Sequence, residues 1–402
     1  MSRVLLVGAG RHQRRVIQRA HELGVEVVAV DRNADAVGLA EAEVGEVVDF
    51  SDVGAVVEVG RRHRVEGVVT FAAERAVPVV AAVAEELGLS GMGAETAHLM
   101  THKVAQRRRL AEAGVPQPRF AAARDLHEAR VAMETVGAPA VLKPADSAGQ
   151  RGVFRIESID DLERHLYAAL AESASGEVIV EGFRDGREVN TLFVIRDGVP
   201  SLVTLSDRIR PAGAGFGVAL THLYPSTLFG YGLEQAEETA GSSLRALGMP
   251  VGIGYPQLLV GDNEGVDVVE VAGRIPGGQM VDVALHGTGV DLIEVALRQA
   301  LGEAVPDELV QPRFIQPLAI FFLTAEPGPL PTGRVKSFGG LERVLASPGV
   351  VQADLFLVEG ETIRPVQRDG DRRGYVIALG ATNLEALEHA ETAARLVDVE
   401  VE

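Results

Sequence analysis

The chain has no cysteine. That excludes disulfides, thiolate zinc sites, iron–sulfur clusters and cysteine nucleophiles together. Positive charge is also short: 38 Lys and Arg stand against 57 Asp and Glu, a formal net charge of -19. A free-standing nucleic-acid binder needs a basic surface, so no nucleic-acid partner is expected. The longest clean apolar run, near residues 76–84, is too short to cross a bilayer, so no membrane partner is expected either. Residues 1–8 lack the long apolar stretch of a signal peptide and read as a first strand. The location these features imply is cytoplasmic.

Lysine is the scarcest charged residue. Only Lys103, Lys143 and Lys336 occur, and every other basic residue is arginine. Against that background a retained lysine marks a candidate position for a compact ammonium that a planar guanidinium cannot replace. What remains is ordinary: 402 residues, 47% hydrophobic and 24% charged. At about 150 residues per domain this is a globular chain of two or three domains. It shows no repeats and no long linkers.

The first ninety residues alternate strand and helix. Short β-rich runs fall at 4–7, 25–30, 46–50 and 67–70, with helical patterns at 11–23, 51–64 and 76–87. Such alternation implies a parallel, doubly wound sheet. Gly8-Ala9-Gly10 follows the first strand, and Asp31 ends the second. That is half of a dinucleotide fingerprint, but Gln13 stands where the third glycine belongs. The turn reads as structural or as a small-ligand site, with a nicotinamide cofactor as the weaker alternative.

The middle of the chain carries the chemistry. Thr96 reads as a cap for a helix running to 113 that contains Lys103, and Gly114 to Pro118 ends it. A helix over 126–136 leads into a strand, 140–144, that ends on Lys143-Pro144. A glycine loop follows, Asp146-Ser147-Ala148-Gly149-Gln150-Arg151-Gly152, and then a strand over 153–156. A glycine hairpin can fold its amides over a phosphate chain, and Arg151 adds charge. It is not a Walker loop, because the terminal Gly-Lys-Ser/Thr is missing. Next come Val178-Ile179-Val180-Glu181-Gly182-Phe183, Glu188, and the stretch Val268-Val269-Glu270-Val271-Ala272-Gly273-Arg274-Ile275-Pro276-Gly277-Gly278.

In this order the chain resembles the ATP-grasp superfamily of carboxylate–amine ligases along essentially its whole length. The resemblance implies an N-terminal doubly wound parallel-sheet α/β domain, then a two-lobed α+β ATP-grasp fold, then a C-terminal extension. Boundaries are expected at 1–115, 116–311 and 312–402, with a lid over about 116–183 and a central part over 184–311. The residues from 317 onward are similar to the C-terminal region of L-amino-acid ligases, and more loosely to carbamoyl-phosphate-synthase-like proteins.

The resemblance also implies roles, and each makes physical sense. Lys103 and Lys143 would contact the α- and β-phosphates. Ser147, Gly149 and Gly152 would form a lid over them that excludes water. Glu181 would accept from the adenine amino group, the backbone at Phe183 would hold the ring edge, and Glu188 would take the ribose hydroxyls. Glu270 would hold Mg2+, a hard cation that prefers carboxylate oxygen. Arg274 and Arg151 would neutralise the transferring phosphoryl group. Gly277 and Gly278 would let backbone approach the substrate, and His222, in His222-Leu223-Tyr224-Pro225-Ser226, would lie near it.

Two positions depart from the pattern. Gln257 stands where a first metal-binding glutamate is usual, and Ala272 where many members carry an asparagine. An amide oxygen can still ligate magnesium, less strongly than a carboxylate. The expected cofactors are ATP and Mg2+. The expected partners are a small-molecule carboxylate and amine, with a homodimer open. The expected reaction is ATP-dependent ligation through an acyl phosphate, probed against three rivals: a bicarbonate-using carboxylase or carbamoyl-phosphate-synthase-like enzyme, a catalytically silent nucleotide-binding protein, and a dehydrogenase.

Overall fold

Alternation of side chains along the first strands decides the amino-terminal architecture. In Arg3–Val7, Val4 and Leu6 join one hydrophobic cluster while Leu5 and Val7 join another. In Glu26–Asp31, Val27 and Ala29 go with the first and Val28 and Val30 with the second. A strand buried on both faces belongs in a parallel sheet covered by helices. The computed structural model describes residues 2–262 and 265–402, so Met1 of the opening run lies outside the described residues. It shows that sheet: Val44–Val47, Glu26–Asp31, Arg3–Val7 and Gly67–Val69, in that spatial order and all parallel.

A second sheet is antiparallel, ordered Phe120–Ala123, Val178–Gly182, Ala140–Pro144, Phe154–Ile156. The helices Leu126–Val136 and Ile159–Ala171 pack on it through Ala129, Ala132, Met133, Leu162, Leu166 and Ala169. Both helices start on a capping side chain, Asp125 and Ser158, which accept from backbone amides three residues on.

The third sheet has eight antiparallel strands. Their order is Val266–Ala272, Gly252–Val260, Arg187–Arg196, Val199–Ile209, Thr221–Tyr224, Leu318–Phe322, Gly374–Leu379, Val350–Leu355. Strands from beyond residue 312 thus extend the same sheet that carries Glu188, Gln257 and Glu270. Past them lies a small sheet of Thr362–Ile363, Gly333–Gly339 and Asp398–Val401. Among the described residues no helix is long and apolar enough to cross a membrane.

The helix expected through residue 113 is two helices, Ala94–Thr101 and Lys103–Glu112. His102 adopts extended backbone between them, and its ring nitrogen accepts from the Ala105 amide. Gly93, not Thr96, caps the first. The break makes Lys103 the first residue of a new helix that enters the space between the second and third sheets.

The amino-terminal sheet is fastened to the large one by charge as well as by packing. Arg15 meets Asp282 of the helix Met280–Thr288 through two hydrogen bonds of 2.6 Å, and Asp282 is fully buried. Removing one partner leaves a buried charge uncompensated. Arg15→Met should therefore cost about 3–5 kcal/mol and lower the melting temperature clearly. Arg61→Met, which breaks only exposed contacts with Glu58 and Glu86, should cost less than about 1 kcal/mol. Equal melting temperatures for the two variants would contradict this reading of the interface.

Candidate functional site

Two adjoining cavities lie where the second and third sheets face each other. The smaller, about 110 Å3, is lined by Lys103, Lys143, Ser147, Glu181, Phe183, Glu188 and Glu270, among others. The larger, about 850 Å3, is lined by Glu74, His222, Arg274, Gly277, Gly278 and Arg372, among others. Ala148 to Arg151, Arg208, Gln257 and Glu270 line both. Fourteen of the fifteen residues expected at the site thus line one or both of these spaces, which share a wall; Gly152 lines neither.

Lys143 ends its strand and is buried, with Nζ 2.8 Å from Glu181 Oε2. Burial pushes the Lys143 ammonium below its ordinary lysine range, and the Glu181 charge opposes that push. Burial would raise the Glu181 carboxyl, but the Arg107 and Lys143 charges outweigh it and hold it at about 2. Lys103 Nζ donates to the Ser147 carbonyl at 2.6 Å and lies 3.2 Å from Glu270 Oε1. Burial raises the Glu270 carboxyl, and the Lys103 and Lys143 charges bring it below the usual range.

Four of the expected residues make these contacts within the protein. Glu181 accepts from Arg107 and Lys143, which together reach both its oxygens. The Phe183 amide donates to the Pro139 carbonyl at 2.9 Å rather than into the cavity. Glu188 is held by Arg208 and Arg210. Arg274 pairs with Glu74 of the amino-terminal domain and not with Glu270. The chain reaches that position because the Ala72 amide bonds the Ile275 carbonyl.

The glycine loop spans residues 146–152. Gly149 and Gly152 have φ of +71° and +68°, in the left-handed region that glycine adopts without strain. A Cβ on Gly152 would also come within 3.0 Å of Pro144. Arg151 donates to the Ala148 carbonyl and stays partly exposed at the loop's tip. His222 is buried beside Asn190, with Nδ1 3.2 Å from its amide nitrogen, and Gly278 lies next to Nε2. Burial, then Arg372 and Arg208, push its imidazole well below the usual range, so it is neutral at neutral pH.

The residues fit the groups that the resemblance implies. Ser147 Oγ is buried against the smaller cavity without a hydrogen-bond partner, a donor that a phosphate oxygen would satisfy. Glu270 stands opposite Gln257 in the strand register, giving one carboxylate and one amide oxygen. Among the described residues no cluster of three acidic or histidine side chains could hold a metal alone. Magnesium is commonly held by one or two carboxylates plus substrate phosphates, and this donor set is of that kind.

By contrast, the glycine turn of the first strand is closed on itself. Asp31 Oδ2 accepts from the Ala9 amide at 2.8 Å, and Gln13 donates to the Phe71 carbonyl. The amide and the carboxylate that a dinucleotide would use are bonded to each other.

Sequence reasoning missed Arg107, Glu74 and Arg208. Arg107 lay in an undistinguished run of three arginines; its one signal was the i, i+4 spacing from Lys103, which puts both on one helix face. Glu74 and Arg208 gave no motif.

The Lys143–Glu181 pair sets a pH dependence. An ammonium that held phosphate here would give nucleotide affinity below the folded-state pKa of Lys143, lost as pH rises through it. Glu181→Gln removes the charge that raises this pKa. ADP affinity of the variant, followed by calorimetry from acid to alkaline pH, should therefore fall away at lower pH than in the parent. Superimposable pH curves would contradict the pairing.

Comparison with known proteins places the chain in a family. Residues 102–308 match the model of the carbamoyl-phosphate synthase L chain, ATP binding domain, and residues 328–402 match that of the L-amino acid ligase C-terminal domain 2. The chain is 30% identical over 413 residues to a formate-dependent phosphoribosylglycinamide formyltransferase of Burkholderia cenocepacia, covering 98% of this chain and 95% of that one. Its fold is similar to the crystal structure of L-amino acid ligase from Bacillus licheniformis, with a TM-score of 0.85, 19% identity and coverage of 100% and 99%. It is also similar to a carboxyaminoimidazole ribonucleotide synthase from Aspergillus clavatus complexed with ATP, with a TM-score of 0.78, 17% identity and 98% of each chain covered. The chain belongs to the ATP-grasp superfamily, and is an ADP-producing, C–N bond-forming ligase of that group whose C-terminal end is of the L-amino-acid-ligase type.

Proposed function

We propose that the protein uses ATP and Mg2+ to join an amino acid, through its carboxylate, to the amine of a second small molecule. The observation that carries this reading is the wall shared by the two cavities. A nucleotide in the smaller space would place its terminal phosphate at Glu270 and Gln257, facing the larger one. The larger space, about 850 Å3, has room for two organic substrates.

The chemistry then follows. A carboxylate oxygen attacks the γ-phosphorus, the bond from that phosphorus to the β,γ-bridging oxygen breaks, and ADP leaves. The amine nitrogen attacks the acyl carbon of the acyl phosphate, the carbon–oxygen bond to phosphate breaks, and the amine loses a proton to solvent. Catalysis is mainly positioning and charge neutralisation. Lys143 and Lys103 hold the phosphates, and Arg274 and Arg151 face the oxygens that gain charge. Glu270, with Gln257, would hold the magnesium ion, which supplies further neutralisation of the phosphates. The neutral His222 offers a hydrogen bond to a substrate polar group. The loop over 146–152 keeps water from the acyl phosphate.

With pooled amino acids and Mg2+ the protein should release ADP and phosphate. AMP and pyrophosphate as main products would exclude this route. Lys143→Arg should lower the ADP-forming rate about a hundredfold, roughly 3 kcal/mol, because a guanidinium is too wide for a buried point contact. Lys336, exposed on Gly333–Gly339, supplies the control: Lys336→Arg should match the parent. Full activity in both variants would remove Lys143 from the nucleotide site.

A further inference from the structure

Arg107 is 2% exposed and lies between the two walls of the nucleotide cavity. On one side Nε donates to Glu181 Oε1 at 2.8 Å and Nη2 to Glu181 Oε2 at 3.2 Å. Glu181 belongs to the strand Val178–Gly182, beside Lys143 in the second sheet. On the other side Nη1 donates to the Val268 carbonyl at 2.7 Å and Nη2 to the Val269 carbonyl at 2.6 Å. Those carbonyls belong to Val266–Ala272, the strand that carries Glu270. Nη1 also reaches Gln117 Oε1 at 3.4 Å. A guanidinium has five N–H donors in a rigid fork, and each has an acceptor here. The adjacent Gln106 strengthens the second anchorage: its amide donates to the Val271 carbonyl at 2.7 Å and accepts from the Val271 amide at 2.9 Å.

We propose that Arg107 is a positioning residue for the nucleotide: by tying the Lys143 wall to the Glu270 wall, it fixes the separation at which the phosphate anchors meet the phosphate chain. This rests on the nucleotide reading of the cleft. Arg107 lines neither cavity, so it acts through Glu181, Lys143 and the strand before Glu270. Charge balance alone does not account for the arrangement. A lysine would neutralise Glu181, but its three donors share one atom and cannot span both sheets. A misplacement of about 1 Å at such anchors is enough to cost about a hundredfold in rate.

The test compares Arg107→Lys and Arg107→Gln with the parent. Circular dichroism and melting curves report folding, calorimetry reports binding of ADP with Mg2+, and steady-state kinetics separate KM from kcat for each substrate. The expected result is a folded Arg107→Lys protein with the KM for ATP raised about tenfold and kcat/KM for ATP lowered about a hundredfold. The KM for the carboxylate should stay within about twofold of the parent, since the larger cavity is untouched. Arg107→Gln should show the same split, at least as large. Parent values of KM and kcat in Arg107→Lys would overturn the proposal by reducing Arg107 to a counter-ion. Loss of folding in both variants would overturn it too, by making the residue structural. An equal loss for all substrates would do the same. A parent that binds no ADP would instead refute the nucleotide reading, and so is distinguishable from these outcomes.

Discussion

The rest of the site depends on a buried cluster of charge, Arg107–Glu181–Lys143. Charges removed from water are expensive unless they are paired and fully hydrogen-bonded. Here Glu181 receives three donors, and Arg107 finds acceptors on both sides of the cleft. The gain is geometric. The two sheets that form the cleft share no strand, and the helix Lys103–Glu112 is wedged between them. Its first residue reaches Glu270 and the glycine loop, and its fifth joins the two walls.

The second principle is that cations and anions at the site are already matched. Lys103 sits with Glu270, Arg274 with Glu74, Arg208 with Glu188 and Arg372 with Asp369. A polar site assembled in advance needs little rearrangement when charge develops in it. The larger cavity draws on the whole chain: Glu74 and His12 come from the amino-terminal domain, His222 and Arg274 from the middle, and Asp369 and Arg372 from the end. The eight-stranded sheet explains why, since strands from beyond residue 312 complete the platform on which Arg208 and His222 stand.

Much of this was legible in the sequence because local patterns carried it. Short β-rich runs alternating with helical patterns marked the first parallel strands, and a helical stretch marked 126–136. The scarcity of lysine pointed to Lys103 and Lys143, and the order of motifs pointed to the superfamily. What the sequence hid was long-range. The break at His102 depends on a ring nitrogen capping the next helix, which no propensity reveals. Thr96 has the chemistry of a cap, yet the helix begins earlier, at Ala94, with Gly93 in the cap position. Glu181 read as a strand-end acid open to a ligand, and nothing in its own segment announces its pairing with Arg107, 74 positions earlier. The pairing of Arg274 with Glu74 spans 200 positions and leaves no mark on either segment.

The central claim is that a nucleotide binds between the second and third sheets with its phosphates at the shared wall. The most direct measurement is a crystal structure with Mg2+ and a non-hydrolysable ATP analogue. The account predicts the phosphate chain at Lys143, Lys103 and Ser147, the terminal phosphate beside Glu270 and Gln257, and the base on the Glu181–Phe183 side. Density for the nucleotide at the Gly8–Gly10 turn beside Asp31, or with its base in the larger cavity, would contradict it.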